Sequence, residues 1–122
     1  MGNPVVHFEI MANNAAATRD FYTRAFGWQF ENAPGAGEVE YKLVNTNGNG
    51  GIRGGIGKSP AGYGGHVTFY VGVPDIETAI ASVESLGGKR MMGPDQVPNG
   101  PIIALFTDPE DRTVGLVQIP EC

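Results

Sequence analysis

Val6, Phe8 and Ile10 alternate with His7 and Glu9, and in the second half Val67, Phe69 and Val71 alternate with His66, Thr68 and Tyr70. A period of two is that of a β-strand, so each stretch predicts a strand with an apolar face for a helix to cover and a polar, chemically equipped face turned the other way. After the first strand, around residues 4–11, Asn13 or Asn14 offers an N-cap. Residues 15–26 then place Ala17, Phe21 and Ala25 at helical spacing with Tyr22 and Phe26 alongside, and Gly27 stops the helix. Trp28 and Phe30 begin a short strand, a turn-rich stretch covers 32–37, and Val39, Tyr41 and Leu43 mark one face of a strand over 38–44. A glycine and asparagine turn over 45–51 leads to a side-chain-poor fourth strand over 52–57, and residues 58–65 read as a linker.

The second half repeats this order. A strand over 66–73 is followed by Pro74, by Asp75 as N-cap, and by a helical stripe of Ile76, Ala79, Ile80, Val83 and Leu86 that Gly87 and Gly88 end. Strands are expected over 89–92, 102–107 and 114–119, with a Pro/Gly loop over 93–101. The pattern is βαβββ, twice. It predicts a mixed α and β architecture with helices outside a curved sheet whose inner face is open.

With 122 residues and 41% of them hydrophobic, the chain suits one domain with two halves, 1–60 and 61–122, rather than two independent cores. Eight basic against thirteen acidic side chains leave a net charge of −5, which removes the electrostatic footprint of a nucleic-acid binder and of a basic membrane-surface helix. The longest apolar run, about residues 102–106, is far too short to cross a bilayer, and the first residues lack a basic-then-apolar leader. The expected setting is soluble and cytoplasmic. Cys122 is the single cysteine and the last residue, which excludes an intrachain disulfide and a cysteine metal cluster.

The candidate chemistry centres on His7 and His66. They occupy equivalent positions in the two halves, both on the face opposite the apolar stripe, and so both are expected to line one pocket. Glu9 lies about 7 Å along the same face from His7. It offers either a carboxylate ligand or a general base. Two histidines alone fall short of the three or so protein ligands of a catalytic metal site. Arg53 in the glycine-rich strand is either a clamp for a substrate carboxylate or a partner for a surface acid. That run of glycines lacks the spacing and context of a phosphate loop. Tyr41, Tyr70 and Phe106 are candidate aromatic walls for a ligand, with Thr68 on the same strand face as His66. Trp28, Phe21, Tyr22 and Phe26 read as packing around the first helix. Glu38, Glu40 and Lys42 read as a solvent face.

His7, Phe21-Tyr22 followed by Phe26-Gly27-Trp28, Gly65-His66, Leu86-Gly87-Gly88 and Asp108-Pro109 together span nearly the whole chain, and in this order the chain resembles the vicinal oxygen chelate superfamily of glyoxalase I, bleomycin-resistance proteins and extradiol dioxygenases. The resemblance implies two βαβββ modules forming a cupped, half-barrel mixed sheet of α+β class with helices outside, commonly assembled as a homodimer. It implies a divalent metal ion held by His7 and His66 and completed by a carboxylate from the last strand. Here the matching position holds Gly115, after a turn reading Asp108-Pro109-Glu110-Asp111-Arg112, and the fourth strand offers only Arg53 among polar side chains. Glyoxalase I activity itself is therefore not expected. Three functions follow. The first is a metal-poor pocket binding a small organic molecule. The second is a lyase, isomerase or dioxygenase whose metal rests on His7, His66 and Glu9. The third is metal-free acid–base catalysis by His7 with Glu9.

Overall fold

The computed structural model describes residues 2–32, 41–46, 48 and 50–120. Along the chain run β1 (Val5–Ala12), α1 (Ala15–Phe26), β2 (Gln29–Asn32), β3 (Tyr41–Asn45), β4 (Arg53–Lys58), β5 (His66–Val73), α2 (Ile76–Ser85), β6 (Lys89–Gln96), β7 (Ile102–Thr107) and β8 (Thr113–Gln118). The βαβββ order occurs twice, and the class is α+β with parallel and antiparallel pairings. The expected turn over 32–37 lies outside the described residues from 33 onward, as do Glu38, Val39 and Glu40. Among the described residues no helix is long and apolar enough to cross a membrane.

The chain divides into two compact units, residues 7–67 and residues 1–6 with 68–122. In the first, the strands run in the order β2, β3, β4, β1, with β4 and β1 parallel and the other pairs antiparallel. Ile10, Val44 and Ile56 form its buried core, and Phe8, Tyr22, Trp28 and Phe30 pack against them. Each such aliphatic side chain taken from water contributes about 1.5–3 kcal/mol. Asn14 caps α1 by accepting the Ala17 N–H at 3.0 Å, and Gly27 at φ 74° closes it by donating to the Thr23 carbonyl at 2.8 Å.

The stripe expected to anchor α1 is not the packed one. Ala17, Phe21 and Ala25 are exposed, while Ala15, Thr18, Arg19 and Tyr22 turn inward. The reason is Trp28, one residue past the cap. Its ring stacks on Tyr22 at 4.8 Å and 10°, which fixes the rotation of the helix about its axis, and Phe21 and Phe26 join only from the rim of that aromatic group.

In the second unit the order is β5, β8, β7, β6, with β5 and β8 parallel. Val73, Ile76, Ile80, Ala104 and Leu116 form its core. Asp75 caps α2 by accepting the N–H groups of Glu77 and Thr78 at 3.1 and 3.3 Å. Two departures from the pattern stand out. β6 does not stop at Met92: register shifts on either side of that residue carry the pairing on to Gln96, because bulges absorb the residues that cannot keep the ladder. In β5, Val67 and Phe69 are exposed whereas Thr68 and Tyr70 are buried, the reverse of the expected division. Thr68 is tolerated inside because its hydroxyl donates to the Thr113 carbonyl at 2.5 Å. Tyr70 is tolerated because its ring lies over Gly115, where a β-carbon would come within 2.6 Å of the ring.

Candidate functional site

Side chains alternate along β1, so Phe8 and Ile10 go to the core and His7 and Glu9 to the opposite face. On β3, Val44 is the core residue and Tyr41 takes the other face. On β4, between them, Gly55 has no side chain, and a β-carbon there would stand 2.1 Å from the Tyr41 hydroxyl. The glycine-rich strand is thus a floor on which an aromatic ring can lie. It leaves the Tyr41 oxygen within 3.0 Å of His7 Nε2 and 3.1 Å of Glu9 Oε1.

His66 arrives from the other end of the same unit. The preceding Ser59-Pro60-Ala61-Gly62-Tyr63-Gly64-Gly65 stretch makes a turn in which Tyr63 N–H donates to the Pro60 carbonyl at 3.0 Å, with Gly62 at φ 83°. At Gly65 the backbone is in a left-handed conformation, φ 94°, and a β-carbon would lie 2.3 Å from the Met11 carbonyl. Only glycine fits both requirements. The chain therefore passes flush against β1 and sets His66 opposite Glu9. His66 Nε2 lies 2.7 Å from Glu9 Oε2, and His66 Nδ1 lies 2.6 Å from the Tyr63 hydroxyl.

The five side chains Tyr63, His66, Glu9, Tyr41 and His7 form one continuous run of hydrogen bonds. Donor and acceptor roles follow from chemistry. Glu9 as a carboxylate only accepts, so Tyr41 O–H and His66 Nε2–H both donate to it. With its O–H donating to Glu9, the Tyr41 oxygen accepts from His7 Nε2–H. With His66 protonated on Nε2, its Nδ1 accepts from Tyr63 O–H. Every hydrogen in the run points toward Glu9. His7 is held neutral: burial pushes its imidazole below the usual 6.5, against a smaller upward pull from Glu9. The centre is nearly dry, with Glu9 and His66 side chains 9% and 10% exposed, and Tyr41, His7 and Tyr63 are half-buried around it.

Of the expected site residues, His7, Glu9, Tyr41 and His66 thus come together. Arg53 does not join them; its guanidinium reaches Glu31 at 3.6 Å in a largely exposed pair. Thr68 and Tyr70 are buried against Thr113 and Gly115, and Phe106 packs against the apolar core of the second unit. Tyr63 belongs to the stretch read as a linker. The signal for it was the Pro60-to-Tyr63 turn three residues ahead of a site histidine.

The donor set does not fit a resident divalent ion. Among the described residues no three His, Cys, Asp or Glu side chains are grouped to hold one. Both Glu9 oxygens and both Nε2 atoms already engage one another or Tyr41. At Gly115, which the resemblance matches to a last-strand carboxylate, a β-carbon would come within 2.6 Å of the Tyr70 ring.

Comparison with known proteins agrees with this architecture. The chain is 28% identical over 114 residues to a protein named "Putative glyoxylase CFP32" in both Mycobacterium bovis and Mycobacterium tuberculosis. The match covers 90% of this chain and 43% of theirs, so the chain spans less than half the length of these curated relatives. Among solved structures it superposes on hypothetical protein BH1468 from Bacillus halodurans with a TM-score of 0.66 at 19% identity, covering 100% and 98% of the two chains. It also superposes on a variant of Streptomyces coelicolor methylmalonyl-CoA epimerase in complex with 2-nitronate-propionyl-CoA, with a TM-score of 0.64 at 19% identity over 97% and 98%. At that identity the likeness shows the fold. The family model of the Glyoxalase/Bleomycin resistance protein/Dioxygenase superfamily matches residues 5–114, and the chain belongs to that superfamily.

Proposed function

We propose that this chain binds a small organic molecule at the cluster of His7, Glu9, Tyr41 and His66, through hydrogen bonds rather than through a resident divalent ion. One observation carries the reading: the Glu9 carboxylate is shared between Tyr41 at 3.1 Å and His66 at 2.7 Å, an arrangement that directs donors inward and holds the polar groups in place before any ligand arrives. The half-buried rims of His7, Tyr41 and Tyr63 are where a ligand makes contact. Arg53 keeps its surface pairing and takes no part.

Thermal denaturation in the presence of a panel of small carbonyl compounds, amines, phenols and acyl thioesters tests this. A ligand at a hundred times its Kd stabilises the fold by about 2.7 kcal/mol. The expected result is a rise in Tm for one class in the native chain and none in His66→Ala. Elemental analysis of protein prepared without chelators is the counter-test. A stoichiometric divalent ion lost in His66→Ala would replace this reading with the metal-dependent one.

A further inference from the structure

We propose that Tyr63 is the group that exchanges a proton with the bound ligand, that His66 is its base, and that Glu9 orients His66. This rests on the small-molecule reading above and gives the ligand a class: a molecule carrying a weakly acidic hydrogen. The geometry is that of an activated hydroxyl. Tyr63 oxygen lies 2.6 Å from His66 Nδ1, and the opposite nitrogen of the same ring lies 2.7 Å from a carboxylate. Hydroxyl, base and orienting acid thus stand in line, each within hydrogen-bond reach of the next. Access divides the roles. Glu9 and His66 side chains are 9% and 10% exposed, so a ligand at the cluster meets it first through the half-buried groups, and Tyr63 is the half-buried group at the His66 end of the run.

The step balances without an oxidant or a metal. The ligand's hydrogen passes as a proton to Tyr63 oxygen while Tyr63's own proton passes to His66 Nδ1. The electron pair of the broken bond stays on the ligand, and His66 becomes an imidazolium beside the Glu9 carboxylate. The reverse step returns the proton. Two backbone features hold the hydroxyl in place. The turn from Pro60 to Tyr63 leaves the hydroxyl on His66 Nδ1, three residues further on, and Gly65 against Met11 fixes where His66 begins. The rings meet edge to face at 5.6 Å and 75°, so the oxygen reaches the nitrogen rather than the ring face.

The test needs no ligand. N-Acetylimidazole transfers its acetyl group to a phenol oxygen: the O–C bond forms, the bond to imidazole breaks, and the phenolic proton must leave. Labelling of the full chain is followed residue by residue by peptide mass spectrometry, with Tyr22 as internal reference. If His66 acts as base, His66→Asn slows acetylation of Tyr63 by about tenfold or more relative to Tyr22. Glu9→Gln, nearly isosteric, slows it several-fold and serves should His66→Asn fail to fold. A passive hydrogen bond has the opposite sign, because removing His66 would uncover Tyr63 and speed its labelling. Unchanged or faster labelling of Tyr63 in either folded variant overturns the assignment. A failed ligand screen alongside slowed labelling would sink the binding reading, and with it the exchange with a ligand, while leaving the activation of Tyr63 by His66 and Glu9 standing.

Discussion

Tyr41 lies so close over Gly55 that a β-carbon there would stand 2.1 Å from its hydroxyl and 2.3 Å from the ring carbon bearing it. The ring is rigid and its oxygen is held between His7 and Glu9, so the clash cannot be relieved by a small rotation. Gly55→Ala is therefore expected to lower stability by about 1–3 kcal/mol, the usual range for overpacking. In a Tyr41→Ala background the same substitution should cost much less. Urea midpoints for the four members of that cycle check it, and additive effects would show that the ring does not rest on Gly55.

Glu9 is the acceptor on which both halves of the hydrogen-bonded run end. Glu9→Ala leaves the Tyr41 O–H and the His66 Nε2–H without their acceptor in a nearly dry place, at a cost on the order of 2–4 kcal/mol. Glu9→Gln keeps one acceptor oxygen and should cost about 1 kcal/mol. Calorimetric unfolding at neutral pH distinguishes the two, and equal losses would mean that the carboxylate oxygens are not what Tyr41 and His66 need.

His7 makes the fold sensitive to mild acid. Its imidazole, lowered by burial below 6.5, stays neutral in the folded chain at pH values where the unfolded chain has begun to take up a proton. Stability is accordingly expected to fall as pH drops from about 6.5 toward the folded value, and this contribution becomes constant below it. His7→Gln can still donate to Tyr41 but cannot titrate, so its stability should decline less over the same window. Urea midpoints from pH 7.5 down to 5.0 provide the comparison. Parallel curves would show that His7 is not the group responsible.

The turn before β8 carries Asp111 at φ 65°, a left-handed conformation that asparagine, aspartate and glycine bear better than other residues. Asp108 organises that turn, its carboxylate accepting the N–H groups of Glu110 and Arg112 at 2.9 Å each, and the bond from Arg112 is the main reason its carboxyl sits below the usual value. Asp111→Val should destabilise the chain by about 1–2 kcal/mol through backbone strain alone. Asp111→Gly should be neutral or slightly stabilising. A chemical-denaturation series reads both, and a harmless valine would mean that the turn relaxes to another conformation.

Periodicity by itself determined where most of the strands and helices lie, β6 with its bulges excepted. α1 at 15–26, β5 at 66–73 and β7 at 102–107 fall at the residues predicted, because period two against period 3.6, together with Asn14, Gly27 and Asp75 at the ends, are local rules that each segment obeys whatever surrounds it. His7, Glu9 and His66 were legible as candidates for the same reason, since alternation sets them opposite the apolar stripe, whereas Tyr41 fell in line with the apolar Val39 and Leu43 and was a candidate only as an aromatic ring.

Which face is dry was not a local matter. Val67 and Phe69 lie outward while Thr68 and Tyr70 are buried, because Thr113 supplies an acceptor for Thr68 and Gly115 leaves room for the Tyr70 ring, both contributed by a strand 45 residues further along. Trp28 likewise turned α1 away from its most regular apolar stripe. Tyr63 entered the site through a turn and a glycine pressed against Met11, a contact between distant parts of the chain that no periodicity encodes. Sequence pattern settles conformation, which is governed by neighbours along the backbone. Only the folded chain decides burial and hydrogen-bond partnership, which depend on neighbours in space.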